Sequence, residues 1–165
     1  RVGDVLQSFR VLRSQEGFGQ VVRPSGILTV TAVEQGGATA WVTAQFDLVL
    51  MGDAVRPAPD YRLQPGVHPV AVESNVVAKV LGFPIDQEIH GLGALAFLDV
   101  GEAQGIAVGD EFSGLVNPGE GFAGAEVVRL QVILVRGTGS TARIITLSDP
   151  SLKAGSELKL VGKMR

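Results

Sequence analysis

The chain has no cysteine in its 165 residues, which removes disulfides, thiolate metal sites and a cysteine nucleophile together. It is also poor in charge. Only 19% of residues are Asp, Glu, Lys or Arg, the net charge is −3, and no block of one sign stands out. A nucleic-acid surface needs a basic stripe with interleaved aromatics, and neither is present, so nucleic acid is not an expected partner. No apolar run reaches the roughly 20 residues of a membrane-spanning helix, so a membrane span is not expected. No signal-peptide pattern opens the chain. It begins at Arg1 without Met, which reads as a cut end. Nor does any segment hold a 3.6-residue apolar period over three turns, so no long amphipathic helix is expected.

What remains is apolar, β-branched and rich in glycine. Hydrophobic residues make up 45%, mean hydropathy is +0.29 and there are 22 glycines. Such a chain is too apolar to stay disordered and long enough for one or two small cores. The stretch "ATAWVTAQF" alternates with period two, placing Ala38, Ala40, Val42, Ala44 and Phe46 on one face and Trp41 on the other. With "GILTVTAVE" before it and "QGG" between, it reads as a β-hairpin. "AEVVRLQVILVR" and "TARIITL", flanking "GTGS", read as a second one. The fold class is all-β.

The hairpins belong to an internal repeat. "VGDVLQSFRVLR" and "VGDEFSGLV" open the two copies, and Val21-Val22-Arg23 is matched to Val127-Val128-Arg129. Thr39-Ala40 is matched to Thr141-Ala142, and an exit turn at Gly52 or Gly155 closes each copy. The expected architecture is two related small β-barrel-like units, SH3- or OB-like, over residues 1–60 and 101–165. A strand-containing connector, 61–100, lies between them. Its "ALAFLDVG" leads directly into the second copy, whereas the first copy starts at its Gly-Asp turn. The first unit is thus expected to lack an incoming strand, supplied from upstream or by the connector, and to leave an edge that another chain can pair with.

The order "ALAFLDVGEAQGIAVGDEF", "AEVVRLQVILVRGTGSTARI", "LKAGSELKLVGKM" resembles the C-terminal β-region of bacterial LysM-containing cell-envelope proteins. It is more distantly similar to the C-terminal domain of the flagellar assembly protein T family. The resemblance rests on glycine turns and alternating strands over nearly the whole chain. It implies an exported protein, in the periplasm, cell wall or extracellular space, with a structural or binding role. No LysM module is visible, so glycan binding passes to no residue.

Candidate chemistry is sparse. Asp4, Asp53 and Asp110 each follow a turn glycine; one carboxylate per turn is not a calcium loop, and turn formation is the reading adopted. Asp86, Glu88 and His90 of "DQEIH" would share a strand face at period two, a spacing open to a divalent metal, or else form a solvated polar face. His68 has no evident acid or nucleophile partner. "GTGST" lacks the lysine and following helix of a phosphate loop. Ser8, Ser25, Ser74, Ser113, Ser140, Ser148, Ser151 and Ser156 show no nucleophile-elbow context. Trp41, Phe9 and Tyr61 are candidates for a glycan-stacking platform. No catalytic, cofactor or metal residue is assigned. The chain is expected to be a non-enzymatic envelope module that meets itself, other envelope proteins or peptidoglycan. The alternative is a self-assembling filament or sheath subunit joined through open strand edges.

Overall fold

The computed structural model describes residues 1–59, 66–115 and 126–165. Nearly all their regular structure is β, with one 3-10 turn at Glu102–Gln104. The chain divides into two compact units, Arg1–Ser14 with Gln20–Leu63, and Gln15–Gly19 with Gln64–Arg165.

In the first unit, β1 (Val5–Gln15), β2 (Gly19–Glu34), β3 (Gly37–Gln45) and β4 (Ala54–Pro57) form one sheet in the order β3-β2-β1-β4. It is open: among the described residues β3 and β4 have a neighbour on one side only.

The second unit contains β5 (Pro69–Ala71), β6 (Val77–Gly82), β7 (Leu95–Leu98) and β8 (Glu111–Leu115), then β9 (Glu126–Val135), β10 (Ser140–Leu147) and β11 (Glu157–Met164). Six of them close into a barrel, β6-β7-β10-β9-β8-β11, because β11 pairs with both β8 and β6. β5 extends the seam on the distal half of β11. Alternation sends Ala78 and Val80, Ala96 and Leu98, Leu130 and Val132, Ala142 and Ile144, and Leu158 and Leu160 inward with Phe112. Alanines beside Phe112 and the leucines fill a bore too narrow for large residues on every stave. Each large side chain buried there contributes roughly 1.5–3 kcal/mol.

The all-β expectation and both hairpins match the structure, but only the second unit is a barrel. The strand-containing connector supplies β5, β6 and β7, all paired within the second unit. Two registers also differ from the sequence reading. Ladder positions match Val128 with Gly26 and Arg129 with Ile27, so the two Val-Val-Arg tripeptides do not occupy the same place. A β-bulge at Thr43 splits the "ATAWVTAQF" alternation: Val42 pairs with Leu28, but Ala44 pairs with Ile27, one residue along and on the opposite face. Phe46 therefore joins Ile27 rather than Val42. A bulge adds one residue to one strand and leaves no mark in a period-two count.

Candidate functional site: an open sheet face

The repeated Gly-Asp pairs are built from one local arrangement. Arg1–Asp4, Leu50–Asp53, Ala107–Asp110 and Lys153–Ser156 are four-residue turns. In each, the last backbone N–H donates to the first carbonyl, at 3.2, 3.1, 3.2 and 3.0 Å. The third residue is glycine at φ +89°, +94°, +92° and +89°, the left-handed conformation that a side chain at the third place of such a turn resists. The fourth side chain accepts from the nitrogen of the first residue, whether it is Asp4, Asp53, Asp110 or the hydroxyl of Ser156. Each turn leads into β1, β4, β8 or β11.

The environments then diverge. Asp110 is fully buried and also accepts from Lys163 Nζ at 2.7 Å and from the Met164 N–H at 3.1 Å. Asp53 takes the Leu50 N–H at 3.1 Å and the Arg10 guanidinium at 3.0 Å. The Leu50 bond, opposed by burial and aided by Ser25 and Arg10, holds its pKa below the ordinary carboxylate value. Asp4 is exposed.

The other sequence candidates are not brought together. Asp86, Glu88 and His90 lie in an irregular segment rather than a strand, with both acids exposed. His90 is buried, its ring stacked on Phe83 at 3.4 Å between centroids. Burial lowers its pKa, and Asp86 opposes this. Among the described residues no three His, Asp or Glu side chains gather in a metal-binding group. "GTGST" is the β9–β10 connection, bridged from Arg136 N–H to Gly139 C=O at 2.8 Å. The hydroxyls of Ser25 and Ser8 bond to each other at 2.9 Å. His68 is tied by backbone bonds to Arg165. Trp41 is 72% exposed, whereas the Phe9 ring is covered by the Arg56 guanidinium at 5.0 Å. Tyr61 lies outside the described residues. Among the described residues no helix is long and apolar enough to cross a membrane.

Sequence reasoning expected an open strand edge; the feature it missed is the face of the first sheet. Its order β3-β2-β1-β4 repeats β10-β9-β8-β11 of the barrel. The registers repeat as well. Val30 pairs with Ala40 as Val132 does with Ala142, and Leu28 with Val42 as Leu130 with Ile144. Leu6 pairs with Pro57 as Phe112 with Leu160. Both bulges of the β2–β3 ladder, at Thr31 and Thr43, recur in β9–β10 at Ile133 and Ile145. In the barrel β6 and β7 cover these strands, leaving Ile144 and Leu158 each 1% exposed. Their counterparts Val42 and Val55 are 49% and 54% exposed.

The outer faces differ in chemistry. On the barrel, Arg129 bonds Glu126 at 2.6 Å and Glu111 at 3.3 Å. These bonds hold the Glu126 pKa down and the Arg129 pKa up. At the places of Glu111 and Arg129 the first sheet has Val5 and Ile27. With Pro24, Phe46, Ala58 and Pro59 these line an open apolar groove of about 590 Å³.

Neither a protein-family model, nor a curated protein, nor a solved structure matches the chain.

Proposed function

We propose that the chain is a non-catalytic structural and binding module of an exported bacterial cell-envelope protein, acting through a protein contact at its first sheet. The observation that carries this reading is the exposed apolar face of Val42 and Val55, in a sheet whose barrel counterpart is covered. Exposed apolar surface on a paired-strand scaffold is an interaction surface unless something shields it. The matching order, registers, bulges and turns further support two copies of one four-strand motif, of which, among the described residues, only the second carries closing strands. The scattered acids, serines and histidines favour a contact over a reaction. Envelope location rests on the sequence resemblance alone.

A second reading has its own observation. The first sheet ends in two edge strands, β3 and β4, so copies can add edge to edge into a filament.

Sedimentation velocity with negative-stain imaging separates the two. The module reading expects a monomer that cosediments with isolated envelope fractions and loses this with Val42→Lys or Val55→Lys. Regular polymers would establish the second reading instead. A monomer indifferent to envelope fractions and to these substitutions would overturn the first.

A further inference from the structure

We infer that the first sheet is the receptor for a β-hairpin from outside these 165 residues, which closes it into a second barrel. This rests on the reading of the sheet as a contact surface and names its occupant. The barrel shows how the seat is filled. β7 pairs along β10 with Leu98 opposite Ser140 and Ala96 opposite Ala142, and β6 pairs along β11 with Ala78 opposite Leu158. Inward, this hairpin presents Ala78, Val80, Ala96 and Leu98, each at most 1% exposed. The same seat exists on the first sheet: Ala38 and Ala40 stand for Ser140 and Ala142, and Val55 for Leu158.

Backbone groups repeat the argument. In the barrel the turn before β11 is clamped to β6, the Gly155 N–H donating to Val80 C=O at 2.7 Å and the Val80 N–H to Ser156 C=O at 2.9 Å. The matching groups of Gly52 and Asp53 have no such partner among the described residues. An incoming strand supplies one.

Differences between the seats define the occupant. Leucine 6 replaces Phe112, Val42 replaces Ile144 and Val55 replaces Leu158, so the first sheet leaves more room inside. Its hairpin carries larger inward residues than the alanines of β6 and β7, since interiors pack to constant density. Pro57 stands where Leu160 donates its N–H to Val76 at 3.0 Å, and proline has no N–H to give. The occupant's first strand is therefore held over the Gly52–Asp53 turn and the Ala54–Arg56 part of β4. It is an alternating hairpin with branched apolar side chains on one face.

The test uses the full chain and a synthetic peptide of residues 76–100, the β6–β7 hairpin, together with its Ala96→Val form. Trp41, the only tryptophan, sits on β3 where the second strand would pair and reports on binding. Saturable one-to-one binding is expected, with a blue shift of Trp41 and slower amide exchange at 38–42 and 54–56. Exchange in β10 and β11 stays unchanged, and the Ala96→Val peptide binds several-fold more tightly. Val42→Lys abolishes the shift. If the free peptide does not fold, the same segment joined ahead of Arg1 by a flexible linker must produce the same protection. Absence of both effects would overturn the hairpin while leaving the envelope contact to be judged by cosedimentation. Protection of β3 by self-association, without peptide, would also overturn it, by making the occupant a second copy.

Discussion

Each unit has four strands ordered alike, β3-β2-β1-β4 and β10-β9-β8-β11, yet one unit is a closed barrel and the other an open sheet. The difference comes from two short strands, β6 and β7. With them, Ile144 and Leu158 are core residues. Without them, Val42 and Val55 face solvent on a sheet of matching register. Four strands with shared turns and bulges set the register; covering the inner face takes two strands more. Asp110 is buried against Lys163 and Met164 of β11, whereas Asp4 is exposed.

Matched substitutions test that contrast. Leu130→Ala empties a fully buried site and is expected to cost the barrel about 4 kcal/mol, whereas Leu28→Ala on the open sheet costs about 1 kcal/mol. Urea titration followed by region-resolved hydrogen exchange reads both, and equal costs would break the comparison. Asp110→Ala removes the buried partner of Lys163 and strands two N–H groups, a loss of about 3 kcal/mol. Asp4→Ala at the exposed turn is expected to change stability by under about 0.5 kcal/mol.

Glycine offers a third pair. Alanine at Gly109 meets both the left-handed φ and the Met164 side chain, which a new Cβ would overlap. Alanine at Gly3 meets the same φ in open space. Strain at such a φ is of order 1–3 kcal/mol, so Gly109→Ala should lower the unfolding midpoint clearly more than Gly3→Ala.

The smallest effects are those of pH. His90 has a lowered pKa in the folded barrel, so the unfolded chain binds its proton first as pH falls. Its contribution is complete above its ordinary value near 6.5 and fades as pH drops toward the folded value. His90→Phe should flatten the barrel's stability between pH 7 and 5. Asp53 acts on the first unit at lower pH. Its stabilising effect is complete above about 3.8 and is lost as pH falls through its lowered folded value. Asp53→Asn removes that dependence in an acid titration.

Much of this organisation was legible from residues alone, because it rests on local physics. Period-two alternation marked both hairpins, and glycine followed by an acid or serine marked the turns. The lead-in of "ALAFLDVG" to the Gly109 turn, with no such lead-in at Gly3, was legible in the same way. Three things were not legible. The bulge at Thr43 moves Phe46 to the other face while the letters go on alternating. Val-Val-Arg recurs by composition, but hydrogen-bond register gives the two tripeptides different positions. Membership of β6 and β7 in the barrel depends on pairing between distant strands, which no local pattern encodes. The exposed face itself is an absence, visible only once its covered counterpart is known.

The central claim is that the first sheet is a barrel motif lacking its closing strands, and residue-resolved amide exchange on the free chain tests it most directly. The open sheet predicts that β3 and β4 amides pointing away from β2 and β1 exchange within seconds to minutes, while their β10 and β11 counterparts stay protected for hours. Equal protection of the two sets in a monomer would mean that the first sheet is already closed, and would contradict the account.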